Sequence, residues 1–196
     1  MSGLITKILN DSIRYTPQQK FAELTPFLEF IIKDTNCNNA LEIGTGNGGL
    51  TYILSTLFDK VVTIDIMNEV QYEKDNIIRL IANSHNLSSQ EWEKIVQFYP
   101  YDLIFIDGDH SYEGVKQDFE IYSPLLAFGG IVAFHDIKDT ELQRQNNCFV
   151  SKFVKEVEQA NLHISTKVFN DFNDEWSGRF DPAFKNGGGI QMFKFV

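Results

Sequence analysis

The run Leu41-Glu42-Ile43-Gly44-Thr45-Gly46-Asn47-Gly48-Gly49 constrains this chain more than any other feature. A short apolar strand enters a glycine cluster, and the apolar residues from 50 to 58 then recur at helical spacing. Glycines allow a tight turn and let a ligand approach the backbone, while the helix that follows offers free N–H donors at its start. The same rhythm continues downstream. Strands are expected at 61–64 (ending at Asp65), 77–82, 102–106 (ending at Asp107), 130–134 (ending at His135-Asp136), 163–169 and 190–195. Helices are expected at 89–98, at 112–127 with a disturbance at Pro124, and at 149–160. Two amphipathic helices, 3–14 and 18–33, precede the first strand. Thr16-Pro17 separates them, and Pro26 should kink the second or start a new helix. Such alternation specifies an α/β protein: a largely parallel sheet with helices on both faces.

The length of 196 residues suits one domain, with residues 1–36 as an N-terminal helical segment and 37–196 as the core. A net charge of -10 repels phosphate backbones and anionic bilayers, which disfavours nucleic-acid and membrane partners. Cys37 and Cys148 are too few and too far apart for a disulfide framework or a zinc motif. Neither a secretory signal nor an 18-residue apolar run is visible, so a cytoplasmic location is expected. The polar stretches 137–147 and 170–189 read as long loops. The second carries Phe172, Trp176, Phe180 and Phe184, suited either to roofing an acceptor pocket or to ordinary edge packing, and Gly187 to Gly189 read as a hinge. Only about a dozen residues, 66–76, link the second and third strands, where a crossover helix barely fits.

Gly44, Gly46 and Gly49 match the spacing G-x-G-x-x-G, which alone suggests a dinucleotide site. Asp65, 21 residues beyond Gly44, is placed to bind ribose hydroxyls in either a dinucleotide or another nucleoside cofactor. Glu42 separates the alternatives. A carboxylate two residues before the first glycine suits a cationic ammonium and is poorly placed beside a pyrophosphate. S-adenosylmethionine carries an ammonium and a sulfonium and no phosphate. The competing reading is a plain turn with a solvated Glu42.

The runs LEIGTGNGG, VVTIDI and YDLIFIDGDHSYEGVKQDFEIYSPLLAFGGIVAFHDI resemble the class I S-adenosylmethionine-dependent methyltransferases. Within them the chain is most similar to the small-molecule O-methyltransferases related to macrocin O-methyltransferase and to the cephalosporin hydroxylase-like proteins, over residues 40–137. The resemblance implies a Rossmann-like, doubly wound, seven-stranded sheet with an antiparallel last strand. It also implies methyl transfer from S-adenosylmethionine to a hydroxyl of a small sugar or natural product. Glu42, Gly44, Thr45, Gly46 and Gly48 would line the methionine end of the cofactor. Asp65 would bind the ribose, Ile66 would lie beside the adenine, and Asn83 or Ser84 would lie near its edge.

Asp107, Asp109, His110, His135 and Asp136 all fall at carboxyl ends of strands, where open parallel sheets bind ligands. Two readings of this cluster stay open. Asp107, His135 and Asp136 could hold a divalent cation, as related enzymes do after strands four and five. The acids suit Mg²⁺, and the imidazole suits Mn²⁺, Fe²⁺ or Zn²⁺ better. Alternatively His110 acts as general base beside Asp107, with Ser111 capping the next helix and leaving His110 free. Asp107 would also border the cofactor. His85 and His163 read as surface or packing residues. The N-terminal helices could cap the cofactor or make a contact between two copies of the chain. A nicotinamide-dependent oxidoreductase and a non-catalytic nucleoside-binding protein are the rival readings.

Overall fold

The computed structural model describes residues 2–160, 164–169 and 188–195. Seven strands form one sheet: β1 (Asn39–Ile43), β2 (Lys60–Asp65), β3 (Ile77–Ile81), β4 (Tyr101–Ile106), β5 (Leu126–Phe134), β6 (Ile164–Phe169) and β7 (Ile190–Phe195). Their order is β3-β2-β1-β4-β5-β7-β6. β7 pairs antiparallel with both β5 and β6, and every other pairing is parallel. Strand order reverses between β1 and β4, which opens a crevice at their carboxyl ends.

Helices α1 (Ser2–Ser12), α2 (Phe21–Asp34) and α3 (Gly49–Leu57) cover one face. Ile5, Leu24, Phe27, Ile31, Ile53 and Leu54 pack there against Ala40, Val61, Leu103 and Phe105. Helices α4 (Ser89–Val96), α5 (Tyr112–Tyr122) and α7 (Val150–Ala160) cover the other, where Ile95, Val115, Tyr122, Phe153 and Val157 meet Leu41, Ile43, Val62, Ile104 and Phe134. β4 is buried along its whole length, as its unbroken apolar run demands. No helix among the described residues is long and apolar enough to cross a membrane.

Several boundaries differ from the sequence expectation, each for a local reason. α2 starts at Phe21, where the Lys20 N–H donates to Glu23 Oε1 at 2.8 Å, and Pro26 lies inside the helix without ending it. α5 stops at Tyr122 because Pro124 falls in a following 3₁₀ turn, and β5 begins at Leu126, with Gly129 in the left-handed region. The stretch 137–147 holds a short helix, α6 (Glu141–Gln145), capped by Thr140. Residues 66–76 contain no helix. They strap across the end of α3 instead, through Tyr72 Oη donating to the Gly48 carbonyl and Asn76 donating to those of Ser55 and Phe58. His163, Phe172, Trp176, Phe180, Phe184 and Gly187 lie outside the described residues.

Candidate functional site

The glycine loop is folded by a close crossing of two strand ends. The Gly44 N–H donates to the Ile64 carbonyl, and a side chain on Gly44 would begin 2.1 Å from the Asp107 carbonyl oxygen. Only glycine fits there, at φ +92°. Asp65, at the end of β2, draws the loop inward. Its Oδ2 accepts from the N–H groups of Thr45 (2.8 Å) and Gly46 (2.9 Å), and its Oδ1 accepts from Met67 N–H.

A cleft of about 520 Å³ opens above the carboxyl ends of β1, β2, β3 and β4. That volume is in the range of small-molecule sites. Its lining includes Gly44, Gly46, Asp65, Ile66, Asn83, Ser84, Asp107 and His110, all named from the sequence, together with Gln18, Met67 and His85. Gly48 corrects the expectation. It faces Val70 and Tyr72 rather than the cleft, and serves as the left-handed cap of α3. Thr45 and Glu42 line a second, much smaller space of about 10 Å³ with Gln19. Gln18 and Gly44 border both spaces.

Glu42 is fully buried on the helix-covered face of β1. Thr63, its register partner on β2, and Thr51 on α3 both donate hydroxyls to its Oε2, at 2.6 and 2.5 Å. Among the described residues its Oε1 has no hydrogen-bond partner, and neither has Gln19 Oε1. Burial raises the Glu42 pKa to about 8, against the opposing hydroxyl bonds. The solvated carboxylate of the rival reading is therefore excluded, and near neutral pH Glu42 holds a proton until something cationic reaches it.

At the ends of β4 and β5 the structure assembles five titratable groups. His110 Nε2 lies 3.0 Å from Asp107 Oδ1 and 3.7 Å from Asp136 Oδ2. His135 Nδ1 lies 3.3 and 3.6 Å from the same two oxygens, and its Nε2 lies 2.9 Å from Glu23 Oε1 on α2. Burial opposes the charge on His135, but Asp107 and Asp136 outweigh it and raise its pKa well above the histidine range. The balance is the same in kind for His110: burial lowers its pKa, Asp107 and Asp136 raise it further, and the net shift is upward. Burial would raise Asp107 and Asp136, yet the two imidazoles hold both below the carboxylate range.

The metal-ligand set differs from the sequence expectation. Asp107, His110 and Asp136 bring one ligand atom each within 4.8 Å of one another. His135 is not in that set; it is buried, with Nδ1 against Asp107 and Asp136 and Nε2 against Glu23. Asp136 is held at φ +57° by Gly188 N–H, which donates to its Oδ1 at 2.7 Å. Ser111 does cap α5, accepting from Gly114 N–H.

The N-terminal segment supplies residues that the sequence did not flag. Gln19 Nε2 donates to Asp107 Oδ2 at 2.6 Å, and Glu23 joins His135 to Gly189 N–H. Pro17 packs where Gly49 has no side chain. His85, expected on the surface or in packing, lines the cleft with its Nε2 3.0 Å from buried Asp118 Oδ1, though the two are misaligned for a hydrogen bond. Burial raises the Asp118 pKa, with Ser84 and His85 opposing. The only signal for any of these was their residue type. Nothing in their spacing connects them to the glycine loop.

Residues 41–137 match a family model described as a methyltransferase domain. Among curated proteins, the protein-L-isoaspartate O-methyltransferase of Idiomarina loihiensis is 30% identical over 105 residues, covering 52% of this chain and 46% of that one. The chain matches less than two thirds of the length of the curated relatives to which it is similar. The N-methyltransferase NodS of Bradyrhizobium japonicum, solved with S-adenosylhomocysteine, superposes with a TM-score of 0.64 at 15% identity, covering 99% of this chain and 97% of that one. MycE, a methyltransferase of the mycinamycin biosynthetic pathway solved with Mg and SAH, gives 0.60 at 15% identity, covering 88% and 49%. At such identities the likeness is one of fold.

Proposed function

We propose, for a chain whose residues 41–137 are a methyltransferase domain in the class I fold, that it transfers a methyl group from S-adenosylmethionine to a hydroxyl of a small, sugar-like or natural-product-like molecule in the cytoplasm. The observation that carries this reading is the pair of buried oxygens Glu42 Oε1 and Gln19 Oε1, neither with a partner among the described residues, on one space of about 10 Å³. A space that size admits roughly one water-sized group. A carboxyl that ionises beside a cation, with an amide oxygen next to it, suits an ammonium group, and neither has a positive charge to offer a pyrophosphate. The adjoining cleft, with Asp65 and the Asn83–Ser84 edge, suits the nucleoside.

The cofactor supplies a methyl group already activated on its sulfonium, so the protein must align the acceptor and take its proton. His110 is the residue for the proton. Its side chain is 36% exposed and lines the cleft, and Asp107 and Asp136 stabilise the imidazolium it becomes. Asp107 holds His110 on one oxygen and Gln19 on the other, which fixes the base against the N-terminal segment. In place of that role, Asp107, His110 and Asp136 would hold a divalent cation, and the mixed imidazole–carboxylate set suits Mn²⁺ or Fe²⁺ better than Mg²⁺. Such an ion would supply Lewis acidity toward the acceptor oxygen.

The test is transfer of a labelled methyl group from S-adenosylmethionine to a panel of hydroxylated metabolites, with and without added Mn²⁺. Transfer to a hydroxyl is expected, and His110→Ala should reduce it by about 10²-fold or more. Binding of a nicotinamide dinucleotide in place of the sulfonium nucleoside would refute the reading. A protein that binds the cofactor but transfers nothing would be a binding protein instead.

A further inference from the structure

The cleft contains an acid–imidazole pair that the proposed chemistry does not use. His85 lies on the turn after β3, where its backbone N–H donates to Asn83 Oδ1 and where Tyr122 Oη ties the Ser84 carbonyl to α5. Its Nε2 turns inward to Asp118 Oδ1 at 3.0 Å. Asp118, inside α5, has a side chain with no exposed surface, and neither carboxylate oxygen accepts a well-formed hydrogen bond among the described residues. Asp118 Oδ2 lies 3.5 Å from the point where a side chain on Gly108 would begin, and Gly108 lines the cleft. A buried carboxyl left this incompletely partnered is costly unless it serves some arrangement above it.

We propose that His85, oriented by Asp118, is the residue that reads the base of the nucleoside cofactor. The inference rests on the proposed binding of S-adenosylmethionine. With Nε2 only 3.0 Å from Asp118 Oδ1, the carboxylate favours the tautomer protonated at Nε2, which leaves Nδ1 as a hydrogen-bond acceptor. An acceptor matches the 6-amino donor of adenine. It opposes the 6-oxo acceptor of hypoxanthine, because two acceptors facing each other leave both unpaired. Asp118 is thus a positioning residue that fixes the tautomer, and His85 is the specificity determinant.

The experiment is calorimetric titration of the full chain with S-adenosylhomocysteine and with its 6-oxo counterpart, S-inosylhomocysteine. The wild type is expected to prefer the adenine form by on the order of tenfold or more. His85→Ala should remove that preference mainly by weakening the adenine form, and His85→Gln, whose amide can turn to donate as well as accept, should bind both forms with little preference. Asp118→Asn should lower the preference and shift the imidazole nitrogen resonances of His85 away from the Nε2–H tautomer. If Asp118→Asn does not fold, the His85 variants decide alone. Equal discrimination in the wild type and in His85→Ala overturns the inference and leaves the proposed function standing. A wild type that binds neither compound overturns both.

Discussion

Gln19 Nε2 donates to Asp107 Oδ2 at 2.6 Å, which fastens the segment before α2 to the carboxyl end of β4. The partner oxygen of that amide, Oε1, is buried and unpaired beside Glu42. One side chain therefore touches both the reacting cluster and the space assigned to the cofactor's ammonium. Gln19→Ala should weaken S-adenosylhomocysteine binding by about tenfold, since a hydrogen bond to a charged group is lost from a buried site. Calorimetry checks this, and an unchanged affinity would remove Gln19 from the binding site.

Glu42 gives stability an unusual dependence on pH. Its pKa is about 8 in the folded chain against 4.5 for an ordinary glutamate, so the folded state keeps a proton that the unfolded state has released. The stabilisation is full below the unfolded value, declines as pH rises, and is gone above about 8. Asp107 and Asp136 act in the opposite sense, since their lowered pKa values favour folding above the carboxylate range and lose that effect on acidification. Glu42→Gln should therefore flatten the fall in stability between pH 5 and 8 by on the order of 3 kcal/mol, leaving the acid limb in place. Denaturant melts across that range measure it.

Asp65 closes the glycine loop through two N–H bonds as well as facing the cleft. Asp65→Ala should speed hydrogen exchange at the Thr45 and Gly46 amides and reduce cofactor affinity by about 10²-fold, because it loses a ribose partner and loosens the loop at once. Slow exchange retained at both amides would show that the loop is held by other means.

How much of this was legible in the sequence depends on distance along the chain. β1, the glycine loop and Asp65 all lie within residues 39–65, and a strand–turn–helix unit announces itself locally. Asp107, His110 and Asp136 were visible because they end apolar strands. Gln19 and Glu23 were not, since they reach the cluster only after α2 docks, 88 and 112 residues away from Asp107 and His135. His110, rather than His135, brings a nitrogen together with Asp107 and Asp136 oxygens, and α2 docks Glu23 against the far nitrogen of His135. Glu42 is adjacent to the loop in the sequence, but its held proton depends on burial beneath α3, which no local pattern encodes. Gly48 was misassigned because the strap 66–76 packs against it instead of a crossover helix.

Mn²⁺ should bind the wild type more tightly than Mg²⁺, as the imidazole in the donor set requires. Asp136→Asn should lower Mn²⁺ affinity by roughly 10²-fold, while Asp109→Asn, at a residue outside the set, should leave it unchanged. Equilibrium titration followed by the paramagnetic signal of free Mn²⁺ distinguishes the two variants.

The most direct test is the proton count on binding S-adenosylhomocysteine, measured by calorimetry at pH 7 in buffers of different ionisation enthalpy. Glu42 begins protonated and should lose its proton to the buffer as the cationic ammonium binds beside it, so the wild type is predicted to release close to one proton. Glu42→Gln, and a ligand lacking the amino group, should release none. Heats that do not depend on the buffer, or a release that survives Glu42→Gln, would contradict the account.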